Sequence, residues 1–170
     1  MLELKKYEEA EKYFRLSLSL LPDRLSTLTN LAATLIKLKS FAAAEDVILK
    51  SIDLFPEDEL IQFIHGDLMY ENGRWLDAIT CYDTAIRQKP DYAEAFSNRG
   101  VAQEKLKQLD AAMASYNQAI NLKPDYAEAY NNLGIVYLKI KEFEKSKYNL
   151  DQATKLKPDY AEAYYNLGNV

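Results

Sequence analysis

The heptapeptide Lys-Pro-Asp-Tyr-Ala-Glu-Ala stands at residues 89–95, again at 123–129 and again at 157–163, each copy 34 residues after the one before. Its proline belongs to a longer series, Pro22, Pro56, Pro90, Pro124 and Pro158, which keeps that spacing throughout. Gly66, Gly100, Gly134 and Gly168 keep it as well. Five prolines and five glycines in 170 residues are too few for a loop-rich, all-β or disordered chain, and nine of the ten fall on one grid. A fixed period of this size points to a repeat architecture.

Each proline is followed by an acid: Asp23, Glu57, Asp91, Asp125 or Asp159. The ring and missing N–H of proline end one helix, and the acid is expected to start the next. Asp91 with Glu94, Asp125 with Glu128 and Asp159 with Glu162 have the spacing of capping boxes. Two helices fit in each period, divided at Lys39-Ser40, Asn72-Gly73, Lys107-Gln108 and Lys141-Glu142. On the second helix, Trp75, Ala78, Tyr82, Ala85 and Ile86 mark a single buried face. Ala10, Ala44, Ala78 and Ala112 form a row of small residues there, with Ser146 the one substitution. The periodic glycines and Ala32 form the matching row on the first helix. Phe14, Ile48, Tyr82, Tyr116 and Leu150 are expected to fill the holes beside these close contacts.

The pattern resembles that of the tetratricopeptide repeat (TPR) family, an aromatic, Leu-Gly and Tyr followed by Ala, an aromatic and Pro over 34 residues. Residues 127–158 carry it most fully, in Tyr130, Leu133-Gly134, Tyr137, Leu150, Ala153 and Pro158. In residues 93–126, Arg99 and Gln103 replace the usual Leu and Tyr. The resemblance implies an all-α, right-handed superhelical solenoid of antiparallel helix pairs. Its divisions are a half-repeat at 1–24, repeats at 25–58, 59–92 (divergent), 93–126 and 127–160, and a partial repeat at 161–170. It also implies that the first helices line a concave groove that binds a protein or peptide ligand.

On that basis Asn30, Asn98, Asn132 and Asn166 form a row of carboxamides along the groove, with Asn131 beside it. Such a row resembles the asparagine ladder of O-GlcNAc-transferase-type superhelices and suits an extended peptide backbone. Val101, Ile135 and Leu138 give the groove apolar ground, and Lys37, Lys105 and Lys139 a basic row. In the divergent repeat Ile64 interrupts the asparagines, and Leu60, Phe63, Ile64 and Tyr70 are expected to form an apolar hot spot. The basic clamp of chaperone-binding relatives is missing. Ser97, Val101, Asn132, Glu162 and Asn166 occupy one of its registers, and Thr29, Ala33, Ile64, Glu94 and Asn98 another.

Other chemistries find little support. The net charge of −5, carried mainly by residues 1–85, disfavours a nucleic-acid surface. No apolar run approaches the ~18 residues of a membrane span. The opening MLELKKYEEAEKYF lacks the basic-then-apolar order of a secretory signal, so a cytoplasmic setting is expected. His65 and Cys81 are the one histidine and the one cysteine. No glycine-rich turn or orienting third group flanks them, so neither an enzyme nor a cofactor site is expected. Tyr164 and Leu167 lie on a helix without its second half. Such uncovered ends suggest either attachment to a larger protein, a glycosyltransferase for example, or homo-oligomerisation.

Overall fold

The computed structural model describes residues 2–170. Among them every regular element is an α-helix: α1 (Leu2–Leu20), α2 (Leu25–Lys37), α3 (Phe41–Leu54), α4 (Glu59–Glu71), α5 (Trp75–Gln88), α6 (Ala93–Lys105), α7 (Leu109–Leu122), α8 (Ala127–Lys139), α9 (Phe143–Leu156) and α10 (Ala161–Leu167). None is long and apolar enough to cross a membrane. The chain divides into two compact units, Met1–Pro90 and Asp91–Val170. In the first, α2 packs along α3 and α4 along α5, with α1 against α2. In the second, α6 pairs with α7 and α8 with α9, and α10 lies on α9.

The glycine row explains the pairing. A Cβ at Gly66 would stand 2.5 Å from the Tyr82 ring, one at Gly100 2.7 Å from the Tyr116 ring, and one at Gly134 2.7 Å from Leu150 Cγ. These large side chains are almost wholly buried, and each rests directly on a glycine of the facing helix. Ala44, Ala78, Ala112 and Ser146 are fully buried one turn earlier on the second helices. Ser146 fits among the alanines because its hydroxyl donates to the Gly134 carbonyl at 2.8 Å, which satisfies the buried polar group.

Both turns of the period are built from backbone geometry. Before Pro56, Pro90, Pro124 and Pro158 the helix ends on a residue outside the helical region: Phe55, Lys89, Lys123 and Lys157, with φ between −134° and −137° and ψ between 66° and 91°. The proline ring disfavours the helical region for the residue before it, so the helix stops there. Between the two helices of a pair, Lys39, Gly73, Lys107 and Lys141 have φ of 57°, 73°, 59° and 62°. Around each, two backbone bonds close a Schellman motif, as in Gln108 N–H to Gln103 O and Lys107 N–H to Glu104 O. Gly73 therefore stands off the 34-residue grid of the other glycines because it serves the left-handed turn and not a helix contact.

The expected capping boxes do not form. The residues preceding α6, α8 and α10 are Tyr92, Tyr126 and Tyr160, and none caps with its side chain. The aspartate lies one residue too early in the Pro-Asp-Tyr turn and contributes its carbonyl instead, accepting from Ala93, Ala127 or Ala161 N–H at 3.0 Å. A side-chain cap appears at α4, where Asp58 Oδ1 accepts from Ile61 N–H at 3.0 Å.

The first-turn glutamates have another use. Lys123 Nζ lies 2.9 Å from Glu94 and 4.8 Å from the Tyr126 ring centre. Lys157 repeats this with Glu128 at 3.0 Å and Tyr160 at 4.8 Å. Each lysine leaves the end of a second helix and reaches the start of the first helix of its own pair, so both charges complement helix dipoles. Burial works against ionisation of Glu128, but the Lys157 hydrogen bond and its own backbone N–H outweigh it and hold the carboxyl below its usual range.

The left-handed lysines give a test of the turn geometry. A Cβ at positive φ costs about 1 kcal/mol that glycine avoids. Lys107→Gly is expected to raise stability by up to ~1 kcal/mol in urea denaturation, since the native φ of 59° needs no change. A loss of stability would show that Lys107 contributes more through its side chain than its backbone costs.

Candidate functional site

In the second unit the first helices α6, α8 and α10 place Asn98, Asn132 and Asn166 at equivalent positions, each half-buried. Asn131 does not join them as a ligand contact. It is completely buried, because the neighbouring position on α8 turns toward α10. Its Oδ1 accepts from Asn166 Nδ2 at 2.9 Å, its Nδ2 approaches Asn132 Oδ1 at 3.5 Å, and it hydrogen-bonds to the Tyr160 side chain. Burial first, with Glu162 and Glu128 nearby, pushes the Tyr160 hydroxyl up to about 12, so it remains protonated. Asn131 is thus the internal brace that orients Asn132 and Asn166. In the first unit Asn30 is exposed and, with Tyr7, Phe14, Ala33, Thr34 and Lys37, lines a cleft of about 360 Å³ between α1 and α2.

The charged residues are only partly available. Lys105 is exposed. Lys139 is exposed too, but its ammonium is paired with Glu104 of α6. Glu104 also accepts a 3.3 Å bond from the Tyr116 hydroxyl, so this contact ties α8 to the α6–α7 pair. Glu94 and Glu128 are held by their lysines. The surface beside the asparagines is therefore less basic than a count of lysines suggests.

Of the apolar residues, Val101 packs partly against the core of Ala112, Tyr116, Leu133 and Val136. Ile135 and Leu138 are half-buried. The expected hot spot of the divergent repeat needs correction. Ile64 is 6 % exposed and sits with Thr29, Ala32, Ile48, Ser51 and Ile61 in the seam of α2, α3 and α4. An isoleucine in the asparagine position has no polar group to hold toward solvent, so it completes the core. Phe63 is half-buried and leans on Tyr82, ring centres 5.8 Å apart. Tyr70 is half-buried and Leu60 is 40 % exposed. Leu60, Phe63 and Tyr70 remain accessible, and Ile64 does not.

Arg99 and Gln103, the departures from the repeat pattern, belong to one polar cluster with Ser115. Arg99 Nε donates to Ser115 Oγ at 3.1 Å, and that hydroxyl donates to Gln103 Oε1 at 2.7 Å. The Arg99 guanidinium also lies 5.0 Å from the Phe96 ring centre. Arg99 and Gln103 therefore depart from the Leu-Tyr pattern as a pair, joined through Ser115. The signal was present in those two departures, but only the structure joins them. His65 is half-buried, with desolvation lowering its pKa most. Cys81 is buried, and desolvation together with Asp77 pushes its thiol up to about 11, so it stays protonated near neutral pH.

The repeat and the fold recur in known proteins. Patterns described as TPR repeat match residues 66–107, 105–141 and 136–170, and one described as tetratricopeptide repeat matches 2–24. Protein FlbA of Caulobacter vibrioides is 28 % identical over 107 residues, 63 % of this chain and 18 % of FlbA. The chain thus spans less than a fifth of that relative. The crystal structure of TTC0263, a thermophilic TPR protein in Thermus thermophilus, superposes with a TM-score of 0.84 at 21 % identity, over 98 % of this chain and 91 % of that one. The first TPR of Spaghetti (RPAP3), bound to the HSP90 peptide SRMEEVD, superposes with a TM-score of 0.63 at 25 % identity, over 65 % and 87 % of the two chains.

The two adjacent asparagines should respond differently to truncation. Asn131→Ala empties a fully buried position and leaves the half-buried Tyr160 and Asn166 groups short of a partner, and is expected to cost ~1–3 kcal/mol. Asn132→Ala should cost less than ~0.5 kcal/mol, as a partly exposed position. Urea denaturation of the two variants checks this, and equal losses would contradict the bracing role.

Proposed function

Because this chain belongs to the tetratricopeptide repeat family, we propose that it is a protein-interaction scaffold that grips an extended peptide or partner helix through its first helices and performs no chemistry of its own. The observation that carries this reading is the set of half-buried carboxamides Asn98, Asn132 and Asn166, two of them oriented from beneath by Asn131. A carboxamide offers a donor and an acceptor together, the pairing that an extended backbone presents. Asn30 supplies a fourth such group in its own cleft. Val101, Ile135 and Leu138 provide apolar ground, Lys105 and Lys139 the flanking charge, and Leu60, Phe63 and Tyr70 a separate apolar patch. The TPR of RPAP3, which carries a bound peptide, is a precedent for peptide binding by a chain of this fold. The clamp residues for an acidic carboxylate tail are absent here, so the ligand differs from that peptide in chemistry.

An alternative reading makes the chain the recognition region of a larger protein such as a protein-modifying transferase, on the likeness of its asparagine row to that of O-GlcNAc-transferase-type superhelices. Self-association is a second reading, favoured by the exposed Tyr13, Leu16 and Leu20 of α1 and Tyr164 and Tyr165 of α10. A molar mass that stays at one chain across a concentration series in light scattering would dismiss it.

The main reading is tested by affinity capture with quantitative mass spectrometry, comparing the native chain with Asn98→Ala/Asn132→Ala. At roughly 1 kcal/mol for each hydrogen bond, the double variant should bind its partners about tenfold or more weakly. Recovery of the same partners in equal amounts would show that the asparagines are structural only.

A further inference from the structure

A second cleft lies elsewhere on the second unit, between α7 and α9 with α8 as its floor, and encloses about 490 Å³. Tyr130, Leu133 and Tyr137 of α8 line it together with Tyr148 of α9, and Glu144 and Lys145 stand at its rim. At ~100° per residue this face of α8 is about 130° round the helix from Asn132, so the cleft is separate from the asparagine row. Tyr148 is 61 % exposed, and burial together with Tyr148 raises the pKa of Tyr130, consistent with two hydroxyls sharing one space. Among the described residues Tyr130, Tyr137 and Tyr148 make no hydrogen bond within the chain through their hydroxyls. Three aromatic side chains therefore line one groove, Tyr130 and Tyr148 with open faces and Tyr137 packed on the core and approached by Lys145, and their three hydroxyls have no partner among the described residues.

The form of the occupant follows from these groups. An α-helix satisfies its own carbonyls and would leave the tyrosine hydroxyls unanswered, and an added β-strand needs a sheet edge. A polyproline II segment has every carbonyl free and packs flat proline rings on aromatic faces. Its turn of three residues advances ~9.3 Å. Tyr130 and Tyr137, seven residues apart on one helix face, are ~10.5 Å apart along the axis, close to that repeat. Charge sets the flank. Lys145 is engaged by Glu142 at 3.3 Å and lies 5.6 Å from the Tyr137 ring centre. Glu144 has no ion pair among the described residues, so it is the rim charge left for a ligand.

We infer that the tyrosine-lined cleft of α7, α8 and α9 binds a proline-rich segment in the polyproline II conformation, with a basic residue of that segment against Glu144. This surface is independent of the asparagine row and permits two partners to be held together.

The experiment titrates the whole chain into a fluorescently labelled ten-residue peptide of Pro-Pro-Ala triplets ending in arginine, read by anisotropy. Saturable binding is expected, weakened about tenfold by Tyr148→Ala, an exposed position whose loss spares the core. Glu144→Gln should weaken binding about threefold, and should have no effect when alanine replaces the arginine of the peptide. Circular dichroism confirms that both variants remain folded. Asn98→Ala/Asn132→Ala should bind the peptide like the native chain, which keeps this result separate from the asparagine-row reading. No saturable binding, binding by both single variants equal to that of the native chain, or equal binding of a glycine-serine peptide of the same charge would each overturn the inference.

Discussion

In the pairs that carry Gly66, Gly100 and Gly134, two helices pass so close that a single hydrogen fits where a side chain would stand. Tyr82, Tyr116 or Leu150 occupies the space this opens. Burying such a group is worth ~1.5–3 kcal/mol, and the benefit is available only if the first helix has no Cβ at that point. The glycine costs ~1 kcal/mol of helix propensity, a cost repeated at the same place in three successive periods. The fully buried Ala44, Ala78, Ala112 and Ser146 keep the approach close one turn away, and the carbonyl of Gly134 is what accepts the Ser146 hydroxyl.

Given that contact, the ends of each pair need only local devices. A left-handed residue and two backbone bonds reverse the chain at Lys39, Gly73, Lys107 and Lys141. At the other end Lys123 joins Glu94 and Tyr126, and Lys157 joins Glu128 and Tyr160. This accounts for the recurrence of Lys-Pro-Asp-Tyr-Ala-Glu-Ala as a unit. Its proline stops one helix, and its aspartate carbonyl receives the first N–H of the next. In the second and third copies its lysine lies over its tyrosine, and in the first and second its glutamate pairs with the lysine of the following copy. With every element of the pair fixed locally, the surface positions of the first helix are free to vary without loss of the fold.

Helix ends and pairings were legible in the sequence because proline and glycine act through the backbone, and their effects do not depend on distant neighbours. Side-chain roles were less legible. The Asp-x-x-Glu spacing suggested caps, but the turn imposed by Pro90, Pro124 and Pro158 moves each aspartate one residue too far from the helix start. Asn131 and Asn132 are alike in sequence, and only the presence of α10 beside one face of α8 makes the first a buried brace and the second a surface group. Ile64 was placed in the groove by its register, yet an apolar side chain at that register finds the α2–α3 seam. Arg99 and Gln103 stand out from the repeat pattern in the sequence, but their link through Ser115 does not, because the hydrogen bonds cross from one helix to another. Tyr130 and Tyr137, which carry the repeat pattern, also share an open cleft with Tyr148.

Stability thus rests on one helix contact per pair, which leaves the side chains proposed for recognition free of a structural task. A double-mutant cycle on Gly100 and Tyr116, followed by urea denaturation, tests this most directly. In the native background Gly100→Ala drives a methyl against the ring, and a loss of ~1–3 kcal/mol is predicted. With Tyr116→Ala already in place, the same change should gain up to ~1 kcal/mol, because alanine is the better helix former and nothing remains to obstruct it. A reversal of sign across the cycle is the predicted result. Equal losses in both backgrounds would contradict the claim that this close approach is what holds the pair together.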